Sequence, residues 1–245
     1  MNPCGRAALR ILRRMKYEKI REARFLERKN RFVATVELDG REEVVHVKNT
    51  GRCKELLLPG SRVFLSESDE PKRKTRFDLV SVIKERAGKT PLFINMDSSA
   101  PNEAVAEWLP YSGLFHKDAV IKREVTYGRS RFDFQITERD KQTYLEVKGV
   151  TLEDNGILLF PDAPTERGVK HLNELSLIAK SEMRAMIIFV IQMKGAECFK
   201  PNSLTHKAFA EALSEAKKCG VEILAYDCIV TENEMTIDFP VNVII

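Results

Sequence analysis

The hydrophobic period of this sequence changes at residues 97–102 (DSSAPN), and that change constrains the fold more than any other feature. Before it, from Phe25 to Met96, apolar residues alternate in short runs separated by turn signals. RFVATVEL alternates, Asp39–Gly40 turns, and EEVVHV alternates again, which is the pattern of a hairpin. SRVFLSES, RFDLVSVI and PLFIN follow, with a charged loop EPKRK and one short helical stretch predicted near Lys54–Leu58. Five or so short strands in this length predict a small closed barrel of the OB type, because a two-sheet sandwich would use more.

Beyond the break the period lengthens. EAVAEWL reads as a short helix, followed by three strand-like segments, AVIKREVTY, SRFDFQIT and TYLEVKGV. A helix from about Thr165 to Glu182 carries Val169, Leu172, Leu175, Ile178 and Ala179 on one face. AMIIFVIQ reads as a buried strand, Thr205–Cys219 as a second amphipathic helix, and VEILAYDCIV as a further strand. This order implies a mixed sheet flanked by helices, an α/β domain. The predicted division is therefore a barrel at 15–97 and an α/β domain at 98–245, with residues 1–14 a leader or added residues ahead of a natural start at Met15. Those first residues (MNPCGRAALRILRR) are Arg-rich and acid-free, but short and Ser-poor for organellar targeting.

Charge follows the same division. The chain has 40 Lys+Arg and 36 Asp+Glu, and the net +4 equals the four arginines of residues 1–14, leaving a neutral body. Residues 15–102 carry 19 bases and 14 acids, a net of +5, while residues 103–245 carry 17 and 22, a net of −5. A basic barrel beside an acidic domain hints at a polyanion surface on one and metal-binding carboxylates on the other. Five cysteines without a CxxC pair, and no secretory apolar segment before them, point to a reduced cytoplasmic protein. The four histidines are scattered, which argues against zinc, and the apolar run Ala185–Ile191 is too short to span a bilayer.

The segment richest in chemistry is GRSRFDFQITERDKQTYLEVKG, residues 128–149. With its turn at Glu138–Lys141, a hairpin places Asp133 directly opposite Glu146. Alternation puts Lys148 on the face of Glu146 and Arg131 on that of Asp133, with Phe132, Phe134, Leu145 and Val147 on the apolar face. Two carboxylates so placed repel unless neutralised, and oxygen ligands of this kind suit Mg²⁺ or Mn²⁺. Such a metal would activate a water, with Lys148 assisting it or stabilising transition-state charge. Surface Asp–Arg and Glu–Lys pairs are the alternative.

Asp133 followed by Glu146-Val147-Lys148 resembles the PD-(D/E)xK nuclease core. Over most of its length the chain resembles the bacterial sugar fermentation stimulation protein family. The blocks that carry the resemblance are NRFVATVELDG, HVKNTGRCKELLLPG, RKTRFDL, PNEAVAE, YGRSRFDF, YLEVKGVTL, FPDAPTERGVKHLNEL and FVIQ. Lys29 and Lys48, where that family often has Pro, and Cys53 are small departures outside the hairpin. The resemblance implies an N-terminal OB-fold and a C-terminal nuclease-like domain, DNA binding, and a link to control of sugar (maltose) catabolism. It sets Asp133, Glu146 and Lys148 at the nuclease core positions and offers Glu107, on the first helix of that domain, as a further acid.

Around this core, Arg167, His171 and Glu174 form a polar stripe, and Arg167 and Lys170 near a Thr165 cap could hold a phosphate. Gln192 ends a strand that could face the site. In the barrel, Arg28, Lys29, Arg31 and Phe32, then Lys72, Arg73, Lys74, Arg76 and Phe77, mix cations with aromatics, as a groove for phosphates and bases would. Arg52 of the NTGR block and Arg129 and Arg131 of the hairpin join the candidate nucleic-acid contacts. Solvated charge runs are the plainer alternative for these loops. Two functions are carried forward, a Mg²⁺- or Mn²⁺-dependent nuclease acting on DNA, single- or double-stranded, and a non-catalytic, nonspecific DNA-binding regulator of sugar catabolism. Action on RNA or nucleotides is a third.

Overall fold

The fold was obtained as a computed structural model, which describes residues 15–49, 51–181 and 183–245. The leader reading of residues 1–14 lies outside the described residues. In chain order, β1 (Met15–Lys16) is followed by β2 (Ile20–Arg28), β3 (Val33–Leu38), β4 (Arg41–Val47), β5 (Arg62–Glu67), β6 (Phe77–Arg86) and β7 (Lys89–Asn95). Strands β2 to β7 form one sheet in the order β4-β3-β2-β5-β6-β7, and β4 also pairs with β6, which closes five strands into a barrel. The predicted OB-type barrel is thus present. Lys54–Leu58 is not a helix: it is a single turn in which Leu56 and Leu57 N–H reach back to the Cys53 carbonyl.

The second domain begins with α1 (Ala100–Trp108) and continues through β8 (Val120–Tyr127), β9 (Ser130–Glu138), β10 (Lys141–Val150), β11 (Leu152–Asp154) and β12 (Ile157–Phe160). Then come α2 (Glu166–Lys180), β13 (Arg184–Ile191), β14 (Cys198–Pro201), α3 (Lys207–Lys218), β15 (Glu222–Val230), β16 (Glu234–Pro240) and β17 (Asn242–Val243). A seven-stranded mixed sheet runs β1-β16-β15-β13-β10-β9-β8, with β10, β13 and β15 parallel. β13 is buried along almost its whole length because helices or loops cover both faces, as its unbroken apolar run requires. A small sheet, β11-β12-β14-β17, lies outside the predicted elements. β1 pairs antiparallel with β16, so Met15–Lys16, assigned from sequence to the barrel unit, belong to the sheet of the other domain.

α2 starts where Thr165 Oγ1 accepts the Gly168 N–H at 3.1 Å, a side-chain cap, and Lys180 lies in its last turn, matching the helix dipole. Its buried residues His171, Leu172, Leu175 and Ile178 recur at helical spacing. One continuous cluster of buried side chains joins the barrel interior (Phe25, Leu65, Leu79) to the α2 side of the second domain (Leu172, Phe189, Phe199). Among the described residues no helix is long and apolar enough to cross a membrane.

Candidate active site

The β9–β10 hairpin has the register read from its turn, with Glu138 opposite Lys141 and Phe134 opposite Leu145. The ladder then stops one position before Asp133 and Glu146. Asp133 Oδ2 instead accepts the Val147 N–H at 2.7 Å, a carboxylate standing where a backbone acceptor would be. The neighbouring strand is irregular at the same level. The β8–β9 ladder keeps one register throughout but lacks the Glu124–Asp133 pair between Arg123–Phe134 and Val125–Phe132, and Glu124 has a left-handed backbone, φ 55°. β9 changes face between Phe132 and Phe134. Phe134, Leu145 and Val147 therefore join the core under α1, while Phe132 joins the opposite one, its ring 5.8 Å from those of Tyr144 and His171. The single apolar face expected for both phenylalanines is corrected accordingly.

Asp133 and Glu146 are approached from opposite sides of the sheet. Asn102 on α1 donates to Asp133 Oδ1 at 2.7 Å. His171 on α2 meets Glu146 Oε1 through Nδ1, and Lys148 Nζ donates to the same oxygen. Arg167 Nε lies 3.4 Å from His171 Nε2, on the far side of the imidazole from Glu146. Glu146 is 2% exposed, and its second oxygen, Oε2, is buried with no hydrogen-bond partner.

The two carboxyls are pushed in opposite directions. Burial and then the charge of Glu146 raise Asp133 above the usual aspartate range, against the Val147 N–H, Lys148 and Asn102. Burial also raises Glu146, but the bonds and charges of His171 and Lys148 outweigh it and hold that group below its usual range. One carboxylate is thus internally compensated and the other is not. Among the described residues no three His, Cys, Asp or Glu side chains form a group able to hold a metal, so of such side chains this pair would supply two.

The remaining candidates divide. His171, counted from sequence with the nucleic-acid contacts, is 3% exposed and serves Glu146 instead. Gln192 is buried, and its amide donates to the Asn95 and Asp97 carbonyls and to Asn95 Oδ1, fastening the second domain to the end of the barrel. Its Oε1 would lie 2.4 Å from a Cβ at residue 149, so Gly149 is required beside Lys148. Glu107 accepts the Met15 N–H at the β1 edge, away from the hairpin in the strand order.

In the barrel, Arg73 is paired with Asp78, Arg76 with Glu67, and Phe77 is 1% exposed, a core residue unable to stack on a base. Lys72 and Lys74 are exposed on the same loop, and Lys29 pairs loosely with Glu27 at 3.8 Å. Arg28 is bonded entirely inward, to the carbonyls of Asn30, Arg31, Asn49, Gly51 and Arg52. Arg31, Phe32, Arg52, Arg129 and Arg167 are exposed, as are Arg131, paired with Glu124, and Lys170, which donates to the Arg129 carbonyl. Asn102 and Asp162 were missed from sequence. Asp162 Oδ2 accepts the Arg52 N–H at 2.9 Å and leaves room for no side chain at Gly51.

An OB barrel joined to a mixed-sheet domain, with an aspartate and an ExK element on one hairpin, defines a narrow class of two-domain proteins. The family models agree with both halves: the N-terminal OB domain model matches residues 26–90 and the sugar fermentation stimulation protein RE domain model residues 99–234. The chain belongs to the sugar fermentation stimulation protein family. A homologue from Ruminiclostridium cellulolyticum is 52% identical over 229 residues, covering 94% of this chain and 99% of that protein. One from Desulfitobacterium hafniense strain Y51 is 53% identical over 221 residues, covering 90% and 94%. The solved structure of Pyrococcus furiosus SfsA in complex with Ca²⁺ is 30% identical, with a TM-score of 0.83, covering 94% of this chain and 98% of that one.

Proposed function

We propose that this protein is a divalent-metal-dependent phosphodiesterase of the PD-(D/E)xK type acting on DNA. The observation that carries the reading is the buried Glu146 Oε2, which has no partner and lies near an Asp133 carboxyl raised by burial and then by the Glu146 charge. A buried, unsatisfied carboxylate oxygen is costly unless a ligand completes it. A hard divalent cation fits this donor set, with Asp133 and Glu146 as ligands and water or phosphate oxygens filling the other positions. The solved relative's complex with Ca²⁺ supports an oxygen-ligand cation in the family. Mg²⁺ or Mn²⁺, when bound, would supply charge for a phosphoryl oxygen and an acidified water.

The chain's own groups do the rest. His171 and Lys148 hold Glu146 by one oxygen and leave the other free. Lys148 sits where it can pass from Glu146 to a developing phosphorane charge or orient the attacking water. Asn102 and the Val147 N–H hold both oxygens of Asp133.

A second reading is favoured by one observation: Lys148 is already neutralised by Glu146. A closed ion pair suits a retained core that only holds DNA, as a nonspecific regulator of sugar-catabolism genes would need. Incubation with single- and double-stranded DNA and Mn²⁺ separates the two. Cleavage above that of an Asp133→Ala/Lys148→Ala control supports the enzyme; salt-sensitive binding without cleavage supports the regulator. Calorimetric titration with Mn²⁺, with and without Glu146→Gln, tests the metal site directly.

A further inference from the structure

The barrel and the second domain enclose a cleft of about 360 Å³ lined by Arg28, Asn30, Arg31, Gly51, Arg52, Lys54 and Ala163. Its lining holds four cationic residues and no acid. Their roles differ. Arg28 is committed to five backbone carbonyls of the surrounding loops, so it shapes the cleft without being free to bind. Arg31, Arg52 and Lys54 are exposed, and among the described residues their side chains have no ion-pair or hydrogen-bond partner. Phe32, which follows Arg31 in the chain but does not line the cleft, is 53% exposed, a large apolar ring left in water.

The cleft exists because the two domains clasp each other there. Asp162, from the loop before α2, accepts the Arg52 N–H, and its carboxylate lies against Gly51 closely enough to exclude any Cβ. The same loop is held from behind by Asn202, whose side chain donates to the Pro161 carbonyl at 3.1 Å. Asp162 thus fixes the Arg52 backbone while the Arg52 side chain remains available.

We propose that this cleft seats a single-stranded DNA segment, with Arg31, Arg52 and Lys54 on its phosphates, Phe32 under a base, and Arg28 and Asp162 as positioning residues. The inference rests on the nucleic-acid reading of the hairpin site and says where the strand is held. Cations that track phosphates, flanked by an exposed aromatic, are the pattern by which single strands are gripped without sequence preference. From Thr165, just beyond the cleft, to His171 at Glu146 is six residues of helix, about 9 Å along its axis. A strand leaving the cleft along α2 therefore passes Arg167 on its way to the carboxylates.

The test is fluorescence anisotropy of the full chain with a labelled oligodeoxynucleotide over a range of salt concentrations, beside an oligoribonucleotide of the same sequence. Arg31→Ala/Arg52→Ala/Lys54→Ala should weaken binding at least tenfold and flatten the log–log salt slope by about 2, at roughly 0.7 per phosphate contact. Phe32→Ala should weaken it about tenfold with the slope unchanged. Asp162→Ala is the sharper case. Removing an acid beside a cationic cleft tightens DNA by simple electrostatics, whereas loss of a positioning residue weakens it, with faster hydrogen exchange at the Arg52 amide. Asp162→Asn, which keeps an acceptor for that amide, should retain wild-type affinity or better.

If the wild type binds but the triple variant binds equally well, or Asp162→Ala binds more tightly, the cleft assignment is overturned and the hairpin site stands. RNA held in preference to DNA overturns the choice of strand. If the wild type binds no strand while Asp133→Ala/Lys148→Ala likewise changes nothing, the nucleic-acid reading itself falls, and the cleft with it.

Discussion

Two buried glutamates on neighbouring stretches of chain are solved in different ways. Glu153, 3% exposed, sits at the junction of the domains, with Oε2 receiving Lys84 Nζ at 2.6 Å and Oε1 receiving the Gly156 N–H at 2.7 Å. Arg86 stands 3.9 Å from Oε1. Glu146, 2% exposed, has both its donors on one oxygen and none on the other. Nearby Asp97 follows the junction pattern, with Ser99 on Oδ1 and Lys48 and Tyr17 on Oδ2. A buried carboxylate that is fully satisfied by its own chain holds structure together. One left half-satisfied, beside a second carboxyl it disfavours, is organised for something the chain does not supply.

The contrast can be broken most directly by removing the lysines. Lys84→Ala leaves Glu153 buried without its main cation and should lower unfolding stability by about 3 kcal/mol. Lys148→Ala leaves His171 on Glu146 and should cost about 1 kcal/mol, both read from denaturant midpoints. Equal losses would erase the distinction. Glu153 is held below its usual range by Lys84 and the Gly156 N–H after burial has raised it, so its contribution is complete above the unfolded value near 4.5 and disappears as pH falls. The gap between wild type and Lys84→Ala should therefore narrow in acid.

Metal is the next lever. If Glu146 Oε2 is a ligand atom, Mn²⁺ at ten times its Kd should stabilise the fold by about 1.4 kcal/mol. That corresponds to a rise of about 4 °C in Tm. Glu146→Gln should abolish the rise, and Lys84→Ala should leave it intact on a lower baseline.

The smallest effect has the opposite sign to most substitutions. Because Asp133 is raised, the folded state favours its protonated form; that contribution is present below the unfolded value of 3.8 and is lost as pH climbs through the folded one. Asp133→Asn should therefore be slightly more stable than wild type at neutral pH, with the difference vanishing in acid, while any DNA cleavage is lost. A destabilised Asp133→Asn at pH 7 would show that the two carboxyls do not oppose each other.

Local pattern carried most of the fold. Alternation located the barrel strands, the unbroken run in β13 announced a strand covered on both faces, and the polar turn at the hairpin tip set the register up to Phe134–Leu145. Strands as short as β11 and β12 have no period long enough to read. The departure of Asp133 lies level with a left-handed Glu124 on another strand, and no alternation rule signals either. The partnership of Glu146 with His171 requires docking a helix onto a sheet. Arg28 is instructive for a different reason: in sequence it cannot be told from a phosphate-binding arginine, because its partners are backbone carbonyls, and these leave no trace in residue type.

The pairing of β1 with β16 also has a temporal side. Met15 lies opposite Met235, and Tyr17 N–H bonds the Asn233 carbonyl. Between those two partners the chain must build the whole barrel, both long helices and every other strand of the sheet. At ribosomal rates of about 5–20 residues per second, some 10–45 s separate the synthesis of the two strands. The first of the described strands is thus among the last of them to find its place, and through that interval Met15 within it and Tyr17 just after it wait for the surface that will cover them.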